Sequence, residues 1–198
     1  MYYDLKISSS DVDLEAIITK AVNYNYSHIA IDVLINLHDD IDKLFIEHRS
    51  LIVKAKKLAE NFNLKILSRA TVVSSNKMDK NRMDLLKGFD IIAMIPISQK
   101  SLEDATHNLE IDIITFDSNS FCQLKLGSAI DVAIKRKIYI ELDYSAAING
   151  DSDAKVFFFG HAMNIIRRCR YQSFIISSGA KNINHIRPPF DVINLGIL

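Results

Sequence analysis

Three side chains able to grip an anion, Lys181, His185 and Arg187, fall within seven residues of one another. They follow the apolar run Phe174-Ile175-Ile176 and the small, polar end Ser177-Ser178-Gly179. Arginine holds phosphate oxygens in a bidentate fork and lysine acts as a point charge, so this spacing suits phosphate binding. Pro188 and Pro189 keep the backbone beside Arg187 extended. Asp191 then suits a helix N-terminus, and a helix is predicted to restart there. In α/β proteins the loops after strand C-termini are where sites are built.

A second set of charges lies inside apolar runs. Asp4, Arg69 and Glu141 interrupt what read as strands one, three and six. Facing into a barrel they would form one buried ion network, in which all members must be satisfied together. Placed at the strand's exit instead, Arg69 would face a phosphate. The six histidines, His28, His38, His48, His107, His161 and His185, are all more than five residues apart, so no local pair has metal-ligand spacing. They read as surface or helix residues, with His185 in the cationic loop. Asp39-Asp40-Ile41-Asp42 reads as a solvated acidic turn, and Lys54, Lys56 and Lys57 as the outer face of a helix. With six glycines in all, the chain has no phosphate-binding glycine loop. No serine–histidine or cysteine–histidine pair stands out.

The elements that position these residues alternate. Strands are predicted at 2–7, 28–35, 64–73, 90–97, 112–116, 138–144 and 173–177. The clearest amphipathic helix is predicted over 49–62, with Leu51, Ile52, Ala55, Leu58, Ala59 and Phe62 inward. Other helices are expected after Asp11 or Asp13, over 78–87, from Ser98 to Asn108, over 128–137 and over 153–170. Ile91-Ile92-Ala93-Met94-Ile95, Ile111 to Phe116 and Phe174-Ile175-Ile176 are apolar nearly throughout, as in parallel strands covered on both faces. The expectation is one α/β domain over residues 1–198, a TIM-barrel-like fold of seven parallel strands ringed by helices. The usual barrel has eight strands, so closure is open at this point.

Composition narrows the classes. Apolar residues make up 48% and charged residues 24%, enough for a real core. Cys122 and Cys169 are too few for a disulfide framework and read as buried thiols in a reducing compartment. No apolar run approaches the roughly 18 residues of a membrane span, and the N-terminus has no signal pattern. Net charge is zero but uneven: residues 1–124 carry −4 and residues 125–198 carry +4. A polyanion site would lean on the C-terminal third.

Seven segments in order, 3–7, 66–69, 89–93, 108–114, 140–144, 175–180 and 187–195, resemble a known family. They read Tyr3-Asp4-Leu5-Lys6-Ile7, Ile66-Leu67-Ser68-Arg69, Phe89-Asp90-Ile91-Ile92-Ala93, Asn108-Leu109-Glu110-Ile111-Asp112-Ile113-Ile114, Ile140-Glu141-Leu142-Asp143-Tyr144, Ile175-Ile176-Ser177-Ser178-Gly179-Ala180 and Arg187-Pro188-Pro189-Phe190-Asp191-Val192-Ile193-Asn194-Leu195. The family is the thirty-kilodalton protein subunit of ribonuclease P and ribonuclease MRP, within the polymerase-and-histidinol-phosphatase (PHP) superfamily of barrels. The resemblance implies a PHP-like barrel that binds and stabilises a catalytic RNA without cleaving anything itself. It further implies work on tRNA 5′ leaders and rRNA precursors, a small partner subunit of RNA-recognition-like fold, and a nuclear, nucleolar location in a eukaryote. Precursor tRNA would be met indirectly, and no membrane is implied. Under it Arg69, Lys125, Lys181 and Arg187 become the expected RNA contacts. Lys125 lies in Phe121-Cys122-Gln123-Leu124-Lys125-Leu126, which resembles a basic loop of the family, and the Arg136 region is a further contact of lesser weight.

Metal-binding members of the superfamily carry Asp-Leu-His-x-His on the first strand and a later Ser-Asp-Ala-His. The matching stretches here are Asp4-Leu5-Lys6-Ile7-Ser8 and Ser178-Gly179-Ala180-Lys181, with lysines where ligands stood. A protonated lysine has no lone pair for a metal, so no metal or other cofactor is expected, and Lys6 and Lys181 would favour an anion. The alternatives are a stand-alone PHP phosphoesterase, which needs a metal-ligand set, and a protein scaffold without RNA contact. Purified without chelator, the protein should carry well under one zinc or manganese per chain. Elemental analysis giving about one per chain would overturn this.

Overall fold

The computed structural model describes residues 1–10, 13–36, 38–116, 124–149, 152–169 and 173–197. Seven parallel strands follow one another in chain order: β1 (Tyr3–Ser8), β2 (His28–Ile35), β3 (Lys65–Ser74), β4 (Ile91–Pro96), β5 (Ile113–Thr115), β6 (Tyr139–Asp143) and β7 (Phe174–Ser177). Helices return the chain between them: α1 (Leu14–Asn23), α2 (Ile41–Ala59), α3 (Lys80–Asp84), α4 (Gln99–His107), α5 (Gly127–Lys135), α6 (Ser145–Asn149), α7 (Ser152–Arg168) and α8 (Pro189–Ile197). Parallel strands in chain order, alternating with helices, are the arrangement of a β/α barrel. The seam is narrow. Ile7 pairs with Ala180 in one parallel bridge. Ser8 N donates to the Ala180 carbonyl at 2.8 Å and Ala180 N to that of Lys6 at 3.1 Å. Among the described residues no eighth strand intervenes, so the barrel is nearly closed by seven.

The strands form where the sequence places them because β-branched runs fit a sheet covered on its outer face. Ile29 and Ile31 of β2 pack with Ile17, Ile18 and Ala21 of α1 and with Ile52, Ala55 and Ala59 of α2. A larger cluster joins Val33, Ile35, Val72, Met94, Ile114 and Ile140 to Leu102, Ile130 and Ile165 of the helices.

Helix boundaries differ more. The predicted helix over 49–62 runs over Ile41–Ala59. Asp40 is its N-cap, with the carboxylate accepting from Lys43 N at 3.1 Å, so the acidic run read as a solvated turn is a helix start. Leu58 and Phe62, predicted inward, are 40% and 48% exposed. The buried face is Ile41, His48, Ile52, Ala55 and Ala59. The segment predicted over 78–87 splits into α3 and a 3-10 turn, Leu85–Gly88, and α6 was not anticipated. Ser98 caps α4 in a reciprocal capping box with Ser101. Asp13 caps α1, and Pro189 opens α8. Cys169 is buried, and burial pushes its thiol up to about 11; Cys122 lies outside the described residues.

His48, read as a surface or helix residue, is a core residue of α2 whose ring lies 5.4 Å from that of Phe89. Neither ring nitrogen makes a hydrogen bond. Burial lowers its pKa to about 4, only partly offset by the nearby Ile31 carbonyl. The fold therefore selects neutral imidazole. The stability this gives is complete above the ordinary value near 6.5 and is lost as pH falls from there toward 4. Denaturant titrations of wild type and His48→Phe at pH 7 and pH 5 should show the wild type losing ground in acid; a gap that does not change with pH would place His48 in water.

Candidate functional site

The barrel interior is organised on β3. Arg69 has 0% exposure, and its guanidinium is spent entirely inside. Its Nη1 and Nη2 each donate to Glu141 of β6 at 2.7 Å, a bidentate fork. Nη1 also donates to the Leu5 carbonyl of β1 at 2.6 Å, and Nε to Thr71 Oγ1 at 3.1 Å. Asp32 of β2 lies 3.5 Å from Nε and accepts from Thr71 Oγ1 at 2.6 Å. Burial alone would raise the Glu141 pKa, but the guanidinium beside it holds it down to about 2. For Asp32 the balance reverses: burial outweighs Arg69 and lifts the carboxyl to about 6.

This corrects two sequence expectations. Arg69 does not reach the surface and cannot serve as an RNA contact in this arrangement. Asp4 is buried, but it bonds at the seam rather than to Arg69. Its Oδ1 accepts from Ser178 N at 3.0 Å, and burial raises its pKa to about 6. Asp32 takes the place expected of Asp4 in the Arg69–Glu141 cluster. Its signal was present in the sequence, as the one charged residue within His28–Ile35.

Above this layer, toward the C-terminal ends of the strands, lies Lys6. Its Nζ sits 3.3 Å from Asp143 Oδ2 and 3.3 Å from Thr115 Oγ1, and the side chain is only 14% exposed. Asp143 Oδ1 in turn accepts from Ser145 N at 2.8 Å. Gly179 adopts φ +58°, and a Cβ there would come within 2.2 Å of the Asp143 carboxylate oxygens, so only glycine allows the seam this approach. Lys6 stands where the family resemblance places a lost histidine ligand. Its ammonium is paired with a carboxylate, not free for a phosphate. A lysine bonded at that point does not fit a divalent cation beside it. Among the described residues no three histidine, cysteine, aspartate or glutamate side chains converge as ligands.

The other predicted contacts are at the rim. Lys125, Lys181 and Arg187 are all exposed, each on a connection following a strand's C-terminal end. Their backbones are held. Lys125 N donates to Gln99 Oε1 at 2.9 Å. Arg187 N donates to Tyr144 OH at 3.1 Å, and its carbonyl accepts from Tyr26 OH at 2.9 Å. Lys181 N is 3.4 Å from His185 Nδ1. Arg136 is not available as a phosphate contact. Its guanidinium donates to the carbonyls of Ala105, Thr106 and Leu109, closing the C-terminal end of α4.

A nearly closed parallel barrel with a buried Arg69–Glu141 pair and Lys6 tied to Asp143 at its C-terminal end defines a TIM-barrel-like α/β protein. Among solved structures it is similar to a chain in an archaeal ribonuclease P bound to mature tRNA, with a TM-score of 0.69 and 16% identity over 96% of this chain and 78% of that one. It is also similar to a histidinol phosphate phosphatase from Lactococcus lactis solved with zinc, L-histidinol and phosphate. There the TM-score is 0.58 and identity 10%, over 98% of this chain and 90% of that one. The whole chain, residues 1–198, matches the family described as RNase P subunit p30, and it belongs to that family. Mouse ribonuclease P protein subunit p30 is 25% identical over 98% of this chain and 75% of its own length. The ribonuclease P/MRP protein subunit RPP1 of Saccharomyces cerevisiae is 29% identical over 78% of this chain and 54% of its own length. The chain thus spans three quarters of one relative and little more than half of the other.

Replacing Arg69 with Met leaves Glu141 buried without its partner and should cost on the order of 3–5 kcal/mol. Adding Glu141→Leu should recover a large part of it, since apolar replacement of a whole buried pair is tolerated. Urea unfolding of the single and double variants checks both. A single-variant loss below about 0.5 kcal/mol, the size of a surface change, would contradict the buried pair.

Proposed function

We propose that this chain is a protein subunit of ribonuclease P, and of ribonuclease MRP, that binds and stabilises the catalytic RNA. The observation that carries the reading is the division of charge. Arg69 and Lys6 are matched by carboxylates within the barrel, while Lys125, Lys181 and Arg187 stand exposed where the strands end. The names of the mouse and yeast relatives and the archaeal complex support the same assignment. Cations on held backbones position a phosphate chain without reading its sequence. On this reading the RNA cleaves the 5′ leader of precursor tRNA and the barrel performs no reaction of its own. A small partner subunit of RNA-recognition-like fold and a nuclear, nucleolar location complete the proposal for a eukaryotic particle. The phosphoesterase alternative lacks support in the ligand positions, where Lys6 is tied to Asp143. None of the described helices is long and apolar enough to cross a membrane.

Affinity isolation of the full chain followed by sequencing of the copurified RNA should recover ribonuclease P RNA, and recovery of none would sink the proposal. Ultraviolet crosslinking separates RNA contact from a purely scaffolding role. In salt titrations Arg187→Ala and Lys181→Ala should each flatten the slope of log K against log salt by a little under one unit, with the fold intact. An unchanged slope in both would remove this loop from the RNA surface.

A further inference from the structure

The geometry points to an extension of the phosphate-binding rim beyond Lys125, a platform of Lys77, Lys100 and Lys125 on the connections that follow β3, β4 and β5. This inference rests on the RNA-binding reading and adds to it the place where the RNA backbone is held. Lys77 and Lys100 are unremarkable in sequence, each a single lysine in polar surroundings. The fold brings them together with Lys125, because the connections after β3, β4 and β5 are neighbours at the C-terminal end of the barrel.

The described residues of these connections are bonded to one another. Ile97 N donates to the Ser74 carbonyl at 2.9 Å, and Ser98 Oγ to the Ser75 carbonyl at 2.5 Å. Asp104 of α4 is buried and accepts from Met78 N at 2.9 Å, which fixes the residue after Lys77 against that helix. Gln99 Oε1 accepts from Lys125 N at 2.9 Å, and the flanking Leu124 and Leu126 pack on the main core. Each lysine is exposed while its backbone neighbours are anchored. The side chains therefore project from a surface that need not be ordered when a ligand arrives, which lowers the cost of binding.

The charge of this sector is unbalanced. Among the described residues none of the three ammonium groups has a salt-bridge partner. The acids of the same sector keep their charge and offset part of this, each hydrogen-bonded to another group than the three lysines. Asp104 accepts from Met78 N and Asn108 Nδ2, Asp79 caps α3, and Glu103 lies one turn into α4, accepting from Gln99 Nε2. The described residues of the loops after β1 and β2 hold Asp13, Asp39 and Asp40 and no lysine or arginine, and Glu15 follows in the first turn of α1. The positive end of the α4 dipole adds to the field at Lys100. A polyanion following the rim would meet attraction over β3 to β5 and repulsion over β1 and β2, which favours one path for an RNA backbone.

The experiment compares three full-length proteins: wild type, Lys77→Gln/Lys100→Gln/Lys125→Gln, and Lys54→Gln/Lys56→Gln/Lys57→Gln. The last removes the same charge from the outer face of α2. The probe is in vitro transcribed ribonuclease P RNA, titrated at several salt concentrations. The platform triple should lose on the order of a hundredfold in affinity at physiological salt, and its salt slope should flatten by about two units. The α2 triple should lose far less, and both should melt as wild type does. Equal losses in the two triples would mean that net charge alone is read, and would overturn the platform. Wild-type binding with an unchanged platform triple would also overturn it while leaving the RNA-binding reading intact. Failure of the wild type itself to bind the RNA would overturn both.

Discussion

The fork between Arg69 and Glu141 is the contact on which the interior of this barrel depends. One guanidinium reaches the Leu5 carbonyl on β1, Asp32 on β2, Thr71 on its own strand and Glu141 on β6. Four of the seven strands are thus tied through a single side chain. A sheet curled around an apolar lumen can adjust its diameter by sliding side chains past one another. A lumen spanned by a bidentate ion pair cannot, because both partners are buried and neither can find water. The cost of burying these charges is offset by hydrogen bonding, and four of the five guanidinium N–H groups have partners here.

Charge in this molecule is divided by depth. Inside, Glu141 is held ionised by Arg69, Asp143 faces Lys6, and burial pushes Asp32 and Asp4 toward the protonated form. The interior thereby sets two cations of its own, Arg69 and Lys6, against these carboxylates. Lys6 matters most here, since its tethered ammonium places a fixed positive charge at the barrel's C-terminal end, beside Asp143. Lys125, Lys181 and Arg187 at the rim stand outside this internal pairing.

The apolar strands could be read from the chain with little ambiguity, because runs such as Ile91 to Ile95 satisfy a buried parallel strand and little else. The start of α2 could not. Asp42, Lys43, Glu47 and His48 interrupt its apolar period, and only the capping geometry of Asp40 shows that the helix has begun. The site was read in part. Arg69 and Glu141 stood out as charges in apolar company, and Asp32 stood out equally but was passed over. That Asp4 turns to the seam follows from a register shift in β1 between Asp4 and Ile7, which no side-chain pattern announces. Arg136 illustrates the opposite error: a basic cluster at a helix end looked available, yet one of its members caps the neighbouring helix.

The seam has a temporal meaning as well. Residues 4–8 are made more than 160 positions before the residues that close on them, Ser178 to Ala180. Contacts of such large separation bear the full entropy of closing the loop between them. Until they form, β1 has only β2 beside it, and Asp4 and Lys6 remain open to solvent on the seam side. The nascent barrel is therefore an open, curved sheet with an unpaired edge for most of its translation. Gly179, which alone lets the backbone approach Asp143, makes the last turn before that edge disappears.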